Sequence, residues 1–226
     1  MENNVLILGD GLLGRELINQ TNWDYVSRSK NGFDIDHLDK FILSNYNIVI
    51  NCIAHTDTYS EDKEDHWNVN YKFVDRLINY CNDNKIKLIH ISTDYVYSNS
   101  IPFASENDVP VHHNSWYGYT KLLSDGLIQL RSENYLLIRC SHKPKPFKYN
   151  NAWIDYVGNF DYVDTIAGLI VKCVNKNLSG LYNVGTEVKS MFDLATETNL
   201  VVKSFTPPHV PKNLSMDLTK LKSLLP

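Results

Sequence analysis

Short apolar runs alternate with amphipathic stretches along the chain as far as Cys140. The apolar runs at 5–8, 25–27, 48–51, 87–92 and 135–139 have the length and β-branched content of strands. The stretches at 12–19, 37–44, 67–81 and 115–130 have helical periodicity. This alternation predicts an α/β fold, namely a Rossmann-like, doubly wound parallel sheet with helices on both faces.

The pattern changes after Cys140, where the chain reads Ser141-His-Lys-Pro-Lys-Pro-Phe-Lys148. Prolines at this spacing exclude a helix and favour an extended, exposed segment. Beyond it, 160–163 and 181–184 resemble short strands, and 164–174 and 190–198 have helical periodicity. We therefore expect an NADP-binding core over 1–140 and a small C-terminal substrate lobe over 141–226, with some elements of the lobe returning to the core.

Composition narrows the possible partners. The net charge of −4 provides no dense basic surface, so neither nucleic acid nor anionic lipid is an expected partner. The chain has no apolar run long enough to span a bilayer and no signal-like leader, so we expect a cytoplasmic protein without membrane contact. The four cysteines are widely spaced and are expected to be reduced and structural, and the eight histidines show no ligand spacing, so no metal site is expected.

A glycine loop, Gly9-Asp-Gly-Leu-Leu-Gly14, joins the first predicted strand to the first predicted helix. In this context glycines allow a tight turn and bring a dinucleotide pyrophosphate close to the helix N-terminus. Gly9, Gly11, Leu12, Leu13 and Gly14 are therefore candidate cofactor-binding residues. The alternative is a glycine turn that only packs strand against helix.

The second predicted strand ends in Ser27-Arg28-Ser29-Lys30, where NAD-binding proteins place an acid for the ribose 2′-hydroxyl. Arg28 and Lys30 suit a 2′-phosphate instead, which favours NADP over NAD. A solvated basic turn is the alternative. The third strand ends in Asn51-Cys-Ile-Ala54, and its carboxyl end places Asn51 and Ala54 beside the cofactor. His55 either faces the substrate or is a hydrogen-bonded structural histidine.

Tyr117 and Lys121 are four residues apart in a predicted helix, so they lie on one face of it. A lysine near a tyrosine favours the phenolate and makes the phenol a better acid, and Thr93 at the end of the fourth strand can share the same carbonyl oxygen. The three predict a carbonyl reductase site that combines general acid catalysis with alkoxide stabilisation. The same spacing recurs in Tyr59 and Lys63 within an acidic stretch, where we expect no chemistry.

These motifs resemble the extended short-chain dehydrogenase/reductase superfamily, and most closely the dTDP-4-dehydrorhamnose reductase family. The resemblance runs through much of the chain. Besides the glycine loop, the matching stretches are Phe33-Asp-Ile-Asp36, Asn51-Cys-Ile-Ala-His-Thr-Asp57, Trp67-Asn-Val-Asn70, Ser92-Thr-Asp-Tyr-Val-Tyr97, Tyr117-Gly-Tyr-Thr-Lys121, Asn159-Phe-Asp-Tyr-Val-Asp164 and Gly180-Leu-Tyr-Asn-Val184.

The resemblance implies that Thr93, Tyr117 and Lys121 are catalytic and that Lys121 also holds the nicotinamide ribose. It implies that Asp34 and Ile35 lie along the cofactor. The implied reaction is NADPH-dependent reduction of a 4-keto-6-deoxy sugar on a nucleoside diphosphate, in deoxy-sugar biosynthesis such as that of rhamnose. The expected partner is a nucleotide sugar, and a homodimer is a possible assembly.

The chain departs from the family between Cys140 and Phe160, where relatives usually carry a longer segment with an extra helix that covers the substrate. Lys143, Lys145 and Lys148 stand on the shortened loop and are candidates to pair with a substrate diphosphate. A solvated linker is the alternative. The departure also leaves open a regulatory subunit that binds NADP without turnover. A third function, implied by the resemblance to the wider superfamily, is an epimerase that returns the hydride and retains its cofactor.

Overall fold

The computed structural model describes residues 4–40 and 45–225, apart from the side chain of Asp39. Its strands are β1 (Val5–Leu8), β2 (Asp24–Val26), β3 (Ile48–Asn51), β4 (Lys87–Thr93), β5 (Tyr135–Cys140), β6 (His142–Lys143), β7 (Asn151–Trp153), β8 (Val157–Gly158), β9 (Asp161–Tyr162), β10 (Gly180–Asn183), β11 (Lys189–Ser190), β12 (Val202–Ser204) and β13 (Asn213–Leu214). Its helices are α1 (Leu12–Gln20), α2 (Arg28–Asn31), α3 (Lys63–Trp67), α4 (Phe73–Asp83), α5 (Trp116–Arg131), α6 (Val163–Asn175), α7 (Met191–Thr196) and α8 (Thr219–Lys222). Short 3₁₀ turns occupy Ile35–Lys40 and Asp94–Tyr97, and a π-helical turn, Asn68–Lys72, joins α3 to α4.

The central sheet has the strand order β2-β1-β3-β4-β5-β10 in the described residues, and every neighbouring pair is parallel. From β1 the chain passes first to β2 on one side and then to β3 on the other. The loops that leave β1 and β3 therefore diverge and open a crevice at the carboxyl ends of these strands. The predicted α/β, Rossmann-like, doubly wound sheet is confirmed.

Each face of the sheet is covered by a separate apolar layer. On one face Leu17 of α1 and Ile166 of α6 are fully buried against the sheet. On the other face Leu77 of α4 and Ile128 of α5 are equally buried. Each such side chain contributes about 1.5–3 kcal/mol by leaving water, so the crevice rests on a rigid support.

Two segments differ from the pattern predicted for them. The prediction of a helix at 37–44 is wrong for residues 37–40. There the segment Ile35–Lys40 is a 3₁₀ turn, and His37 has the non-helical angles φ −128° and ψ 41°. Residues 41–44 lie outside the described residues. The basic run after β2 forms the short helix α2. Ser27 caps it by accepting a hydrogen bond from the Lys30 backbone N–H, and Gly32 ends it at φ 68°.

The second half of the chain contributes to both the sheet and a separate lobe. β10 pairs with β5 at the sheet edge, and α6 packs beside α1, so both belong to the core. The remaining strands form small sheets around a third apolar cluster, in which Phe147, Tyr156 and Leu214 are buried together with Tyr95. Tyr95 comes two residues after β4, so the cluster adjoins the carboxyl end of that strand. The boundary between 1–140 and 141–226 stays a prediction.

Candidate active site

The glycine loop folds around close backbone contacts. Gly9 has φ +94°, and a Cβ on Gly14 would lie 2.1 Å from the Gly9 carbonyl oxygen, so neither position accommodates a side chain. Gly11 instead has nothing within 4 Å of its would-be Cβ and is exposed at the N-terminus of α1. No side chain caps this end of α1, and an uncapped helix N-terminus beside open space is the arrangement that suits a pyrophosphate.

A crevice of about 250 Å³ lies beside this loop. It is lined by Gly9, Asp10, Gly11, Ser27, Arg28, Phe33, Ile35, Cys52, Ile53 and Ala54. Arg28 is exposed at its edge, whereas the Lys30 amine bonds to the Tyr25 carbonyl at 3.1 Å and lies over the Tyr25 ring. Asp34 accepts a hydrogen bond from the Asp36 backbone and is not one of the lining residues. Of the cofactor-binding candidates, Gly9, Gly11, Arg28, Ile35 and Ala54 line this crevice, whereas Asp34 and the fully buried Asn51 do not.

A second cavity of about 400 Å³ shares Gly11, Cys52 and Ala54 with the crevice, so the two lie side by side. The lining residues of this second cavity are Gly11, Leu12, Leu13, Cys52, Ala54, Thr56, Thr58, Ile91, Ser92, Thr93, Asp94, Tyr95, Tyr117, Lys121, Cys140, Ser141, His142, Lys143 and Tyr156. All three predicted catalytic residues are among them, although they come from β4 and α5. We call this space the reaction cavity.

Tyr117 is placed in the first turn of α5 by a helix cap. The Ser115 hydroxyl accepts a hydrogen bond from the Gly118 backbone N–H at 3.1 Å, which starts the helix at Trp116. Burial raises the pKa of the Tyr117 phenol above its ordinary value, and a hydrogen bond with Thr93 acts in the opposite direction. The phenol is therefore protonated at neutral pH and can donate to an oxygen in the reaction cavity.

Lys121 is 1% exposed, one turn further along α5. Its amine donates to the Ile91 carbonyl at 2.8 Å and lies 3.0 Å from Nε2 of His90. Burial lowers the pKa of Lys121 to about 8, against the opposing charge of Asp125. The hydrogen bonds of this amine in the described residues run to β4 and not to Tyr117, although both side chains line the reaction cavity.

Several buried polar atoms of the reaction cavity have no hydrogen-bond partner in the described residues. They are Oγ of Ser92, Oδ2 of Asp94 and Nδ1 of His142. Burial raises the pKa of Asp94 to about 6, and the charge of Lys143 acts against this shift. Buried polar atoms in native proteins are nearly always hydrogen-bonded, so these three atoms have capacity to bond water or a bound molecule. Asp94 is not among the sequence candidates, although its position directly after Thr93 at a strand end was a usable signal.

The residues proposed for the substrate fall in different places. Lys143 lines the reaction cavity, and burial lowers its pKa. Lys145 is exposed and forms an ion pair with Asp164, and Lys148 is exposed and lines none of the cavities described above. His55 packs edge-on against the ring of His66 and is not a lining residue of the reaction cavity, which favours the structural interpretation.

The second Tyr-x-x-x-Lys pair is placed quite differently. The Tyr59 hydroxyl forms a hydrogen bond with the Tyr95 hydroxyl, and Tyr59 precedes the start of α3. The Lys63 amine lies 4.9 Å from the centre of the Trp116 ring. Because this pair does not share a helix face, its geometry differs from that of Tyr117 and Lys121.

The fold, the glycine-loop crevice and the Thr93, Tyr117 and Lys121 side chains together define a dinucleotide-binding protein of the short-chain dehydrogenase/reductase class. The family model described as RmlD substrate binding domain matches residues 3–143. This match covers more than half of the 226 residues, and the chain belongs to this family, within the extended short-chain dehydrogenase/reductase superfamily. A search of curated proteins found no significant match.

Solved structures agree on the fold. A dTDP-4-dehydrorhamnose reductase from Bacillus anthracis in complex with NADP has a TM-score of 0.83 at 22% identity, covering 99% of this chain and 93% of that chain. A hypothetical dTDP-4-dehydrorhamnose reductase from Sulfolobus tokodaii has a TM-score of 0.81 at 22% identity, covering 97% and 94%. A UDP-glucuronic acid 4-epimerase from Bacillus cereus in complex with NAD has a TM-score of 0.73 at 19% identity, covering 98% and 89%. At these identities the likeness shows the fold alone.

In the described residues no helix is long and apolar enough to cross a membrane. The same residues contain no group of three or more His, Cys, Asp or Glu side chains arranged to hold a metal ion.

Proposed function

We propose that the protein catalyses NADPH-dependent reduction of the 4-keto group of a nucleoside-diphosphate 4-keto-6-deoxy sugar. The observation that carries the proposal is the adjacency of the crevice and the reaction cavity. A crevice beside the glycine loop adjoins a cavity lined by Thr93, Tyr117 and Lys121, and the two share Gly11, Cys52 and Ala54. Membership of the RmlD family supports the sugar class.

The crevice residues fit a dinucleotide phosphate. The open face at Gly11 leaves room for the pyrophosphate at the start of α1, and a side chain at Gly9 or Gly14 would disturb the loop. Arg28 at the crevice edge offers a planar guanidinium to a 2′-phosphate, which favours NADP over NAD. The reduced nicotinamide, when bound, supplies the hydride for the reduction. The Bacillus anthracis neighbour was solved in complex with NADP.

The side chains of the reaction cavity have separate roles in this proposal. Tyr117 donates its phenolic proton to the sugar carbonyl oxygen as that oxygen becomes an alkoxide. Thr93 donates a hydrogen bond to the same oxygen, and Lys121 contributes positive charge when protonated and holds the ribose. A positioned general acid contributes about 10²–10⁴-fold to such a rate. The unsatisfied atoms of Ser92, Asp94 and His142 accept or donate hydrogen bonds to sugar hydroxyls.

Lys143 is proposed to pair with the substrate diphosphate, because it alone among the three loop lysines lines the reaction cavity. Lys143→Met is expected to raise KM about tenfold or more and to lower kcat much less, since a charge-assisted contact is lost on substrate binding. Lys145→Met and Lys148→Met serve as matched controls on the same loop. Equal effects of all three variants on KM would contradict this assignment.

The direct test mixes the protein with NADPH and a panel of 4-keto-6-deoxy nucleotide sugars and follows absorbance of the reduced nicotinamide. Wild type is expected to oxidise NADPH, and Tyr117→Phe to be slower by about 10² or more. Tyr135→Phe, at the opposite end of the sheet, is the control and should match wild type. Equal rates for wild type and Tyr117→Phe would refute the role given to Tyr117.

The two other functions make different predictions for the same protein. A regulatory subunit would bind NADPH without oxidising it in the presence of any sugar of the panel. An epimerase, the activity named for one of the structural neighbours, would retain NAD through purification and return the hydride. Mass spectrometry of the nucleotide released on denaturation separates these cases.

The cytoplasmic location and the homodimer stay predictions, and light scattering of the purified protein tests the latter.

A further inference from the structure

His90 lies in the interior of β4 with no exposed surface, between two other polar side chains. Its Nδ1 is 3.1 Å from Nδ2 of Asn51 on β3, and its Nε2 is 3.0 Å from the amine of Lys121 on α5. Asn51 is also fully buried. These three side chains form a hydrogen-bonded chain, here called the buried triad, that leads from the strand below the crevice to the reaction cavity.

The orientation of the Asn51 amide is fixed by the backbone. Its Oδ1 accepts a hydrogen bond from the Ile53 backbone N–H at 3.0 Å, and a backbone N–H can only donate. The other end of the amide, Nδ2, must therefore donate to Nδ1 of His90. A neutral imidazole that accepts at Nδ1 carries its proton on Nε2. Asn51 thus selects the Nε2–H tautomer of His90.

This tautomer determines the protonation state in which the Lys121 amine can bond to His90. The Nε2–H of His90 points at Nζ, which must supply a lone pair, while one amine hydrogen donates to the Ile91 carbonyl. A neutral amine satisfies both contacts, but an ammonium has three donors and no acceptor. If the amide of Asn51 turned to accommodate an ammonium, its Nδ2 would face the Ile53 N–H. An ammonium at Lys121 therefore loses either its hydrogen bond with His90 or the bond between the Asn51 amide and the Ile53 N–H.

We propose that His90 is a positioning residue whose tautomer, set by Asn51, docks the neutral amine of Lys121 on β4, and that protonation releases this amine from Nε2 towards the reaction cavity. Its contribution to catalysis rests on the proposed function. The hydrogen-bonding pattern itself does not, because it is a property of the free protein.

The other groups around the Lys121 amine fit the neutral state. Cys52 and Cys140 face it from the neighbouring elements, and burial raises the pKa of both thiols, that of Cys52 to about 12, so both are uncharged at neutral pH. Asp125, one turn further along α5, is held by Arg139 at 2.9 Å. Burial acts on the Lys121 amine in the same direction as the geometry, since it favours the uncharged form.

The tautomer is measurable by ¹⁵N NMR of histidine side chains in the free protein, with His90→Gln to assign the signal among the eight histidines. Wild type is expected to show Nδ1 unprotonated and Nε2 protonated. In Asn51→Asp the carboxylate accepts from both Ile53 N–H and the ring, so the His90 proton should move to Nδ1. Asn70→Asp, at the other buried Asn–His contact, 3.4 Å from His66 Nδ1, is the matched control and should leave His90 unchanged.

Lysine labelled at Cε gives the second readout in the same samples. The Lys121 titration midpoint should rise by about one pH unit or more in Asn51→Asp and stay unchanged in Asn70→Asp. A protonated Nδ1 or an imidazolium in wild type overturns the proposal, as does an unaltered tautomer in folded Asn51→Asp. If Asn51→Asp does not fold, the wild-type spectrum decides. Absence of NADPH oxidation with every sugar would refute the proposed function and leave this result intact.

Discussion

Two buried lysines contact β4, and they are bound in opposite ways. At the start of the strand the Lys87 amine has four oxygen contacts: Asn177 O at 3.3 Å, Asn177 Oδ1 at 2.8 Å, Leu178 O at 2.7 Å and Ser179 Oγ at 3.0 Å. Further along the strand, the amine of Lys121 on α5 contacts one carbonyl and one imidazole nitrogen. The first amine is saturated as an ammonium, whereas the second is left short of acceptors beside a cavity.

Two buried carboxylates show a related contrast. Asp125 is ion-paired with Arg139, which also donates to the Tyr97 hydroxyl, and it lines neither the crevice nor the reaction cavity. Asp94 lines the reaction cavity and has no ion pair with a described residue. Each of the two carboxylates has one oxygen without a hydrogen-bond partner in the described residues, so neither burial nor an unpartnered oxygen alone marks a functional group here. A buried carboxylate held by a counter-charge stabilises the fold, and one that lacks a counter-charge and lines a cavity is available for chemistry.

The largest effect of the comparison is expected at the ion-paired carboxylate, Asp125. Asp125→Asn leaves the Arg139 guanidinium buried without its counter-charge and should lower the free energy of unfolding by about 3–5 kcal/mol. Asp94→Asn should leave stability at neutral pH unchanged or raise it, because burial disfavours the carboxylate. Urea unfolding of both variants measures the difference. Equal losses would show that the ion pair does not distinguish the two carboxylates.

For the two lysines, the larger loss of activity is expected at Lys121, which lines the reaction cavity. Lys121→Met removes charge from the reaction cavity and should lower kcat/KM by about 10²–10³. Lys87→Met lies at the far end of the strand and should retain the wild-type value once the folded fraction is counted. Steady-state NADPH oxidation with the best sugar of the panel gives both numbers. A comparable loss in folded Lys87→Met would contradict the division between the two lysines.

Stability should separate the same two lysines in the opposite sense, with the larger loss in Lys87→Met. Lys87→Met leaves partly buried oxygens of Asn177 and Leu178 without this donor and should lower the free energy of unfolding by about 1–3 kcal/mol. Lys121→Met also takes a partner from His90 and Ile91, but it removes a buried amine whose charged form is disfavoured, so its net loss should be smaller. Thermal and urea unfolding measure both. A marked loss in Lys121→Met would mean that its amine is as structural as that of Lys87.

The smallest effect is a pH dependence. Because the folded-state pKa of Asp94 is raised to about 6 from an ordinary value of 3.8, the folded protein binds more protons than the unfolded chain between these values. Asp94 therefore contributes a loss of stability as pH rises from about 4 to about 6. The stability gained by Asp94→Asn over wild type should grow across that window, and a difference independent of pH would contradict the shift.

The sequence predicted the features that depend on neighbouring residues, but not those that depend on contacts between distant parts of the chain. The strands, the glycine loop and the Tyr117–Lys121 spacing are local patterns, and the carboxyl ends of parallel strands bring Thr93 to the same edge. The triad of Asn51, His90 and Lys121 joins three elements, and no local pattern records it. Tyr156 reaches the reaction cavity from the lobe for the same reason. The sequence equally gave no means to separate Lys143 from Lys145, whose ion pair with Asp164 forms across the fold.

The central claim is that hydride passes from NADPH to the carbonyl carbon of the sugar in the reaction cavity. The most direct measurement incubates the protein with a 4-keto-6-deoxy nucleotide sugar and NADPH carrying deuterium at the transferable position, and examines the product by NMR. The account predicts deuterium bound to C4 of the reduced sugar with wild type and about 10²-fold less with Tyr117→Phe. NADPH binding without deuterium in any sugar, or equal transfer by both proteins, would contradict it.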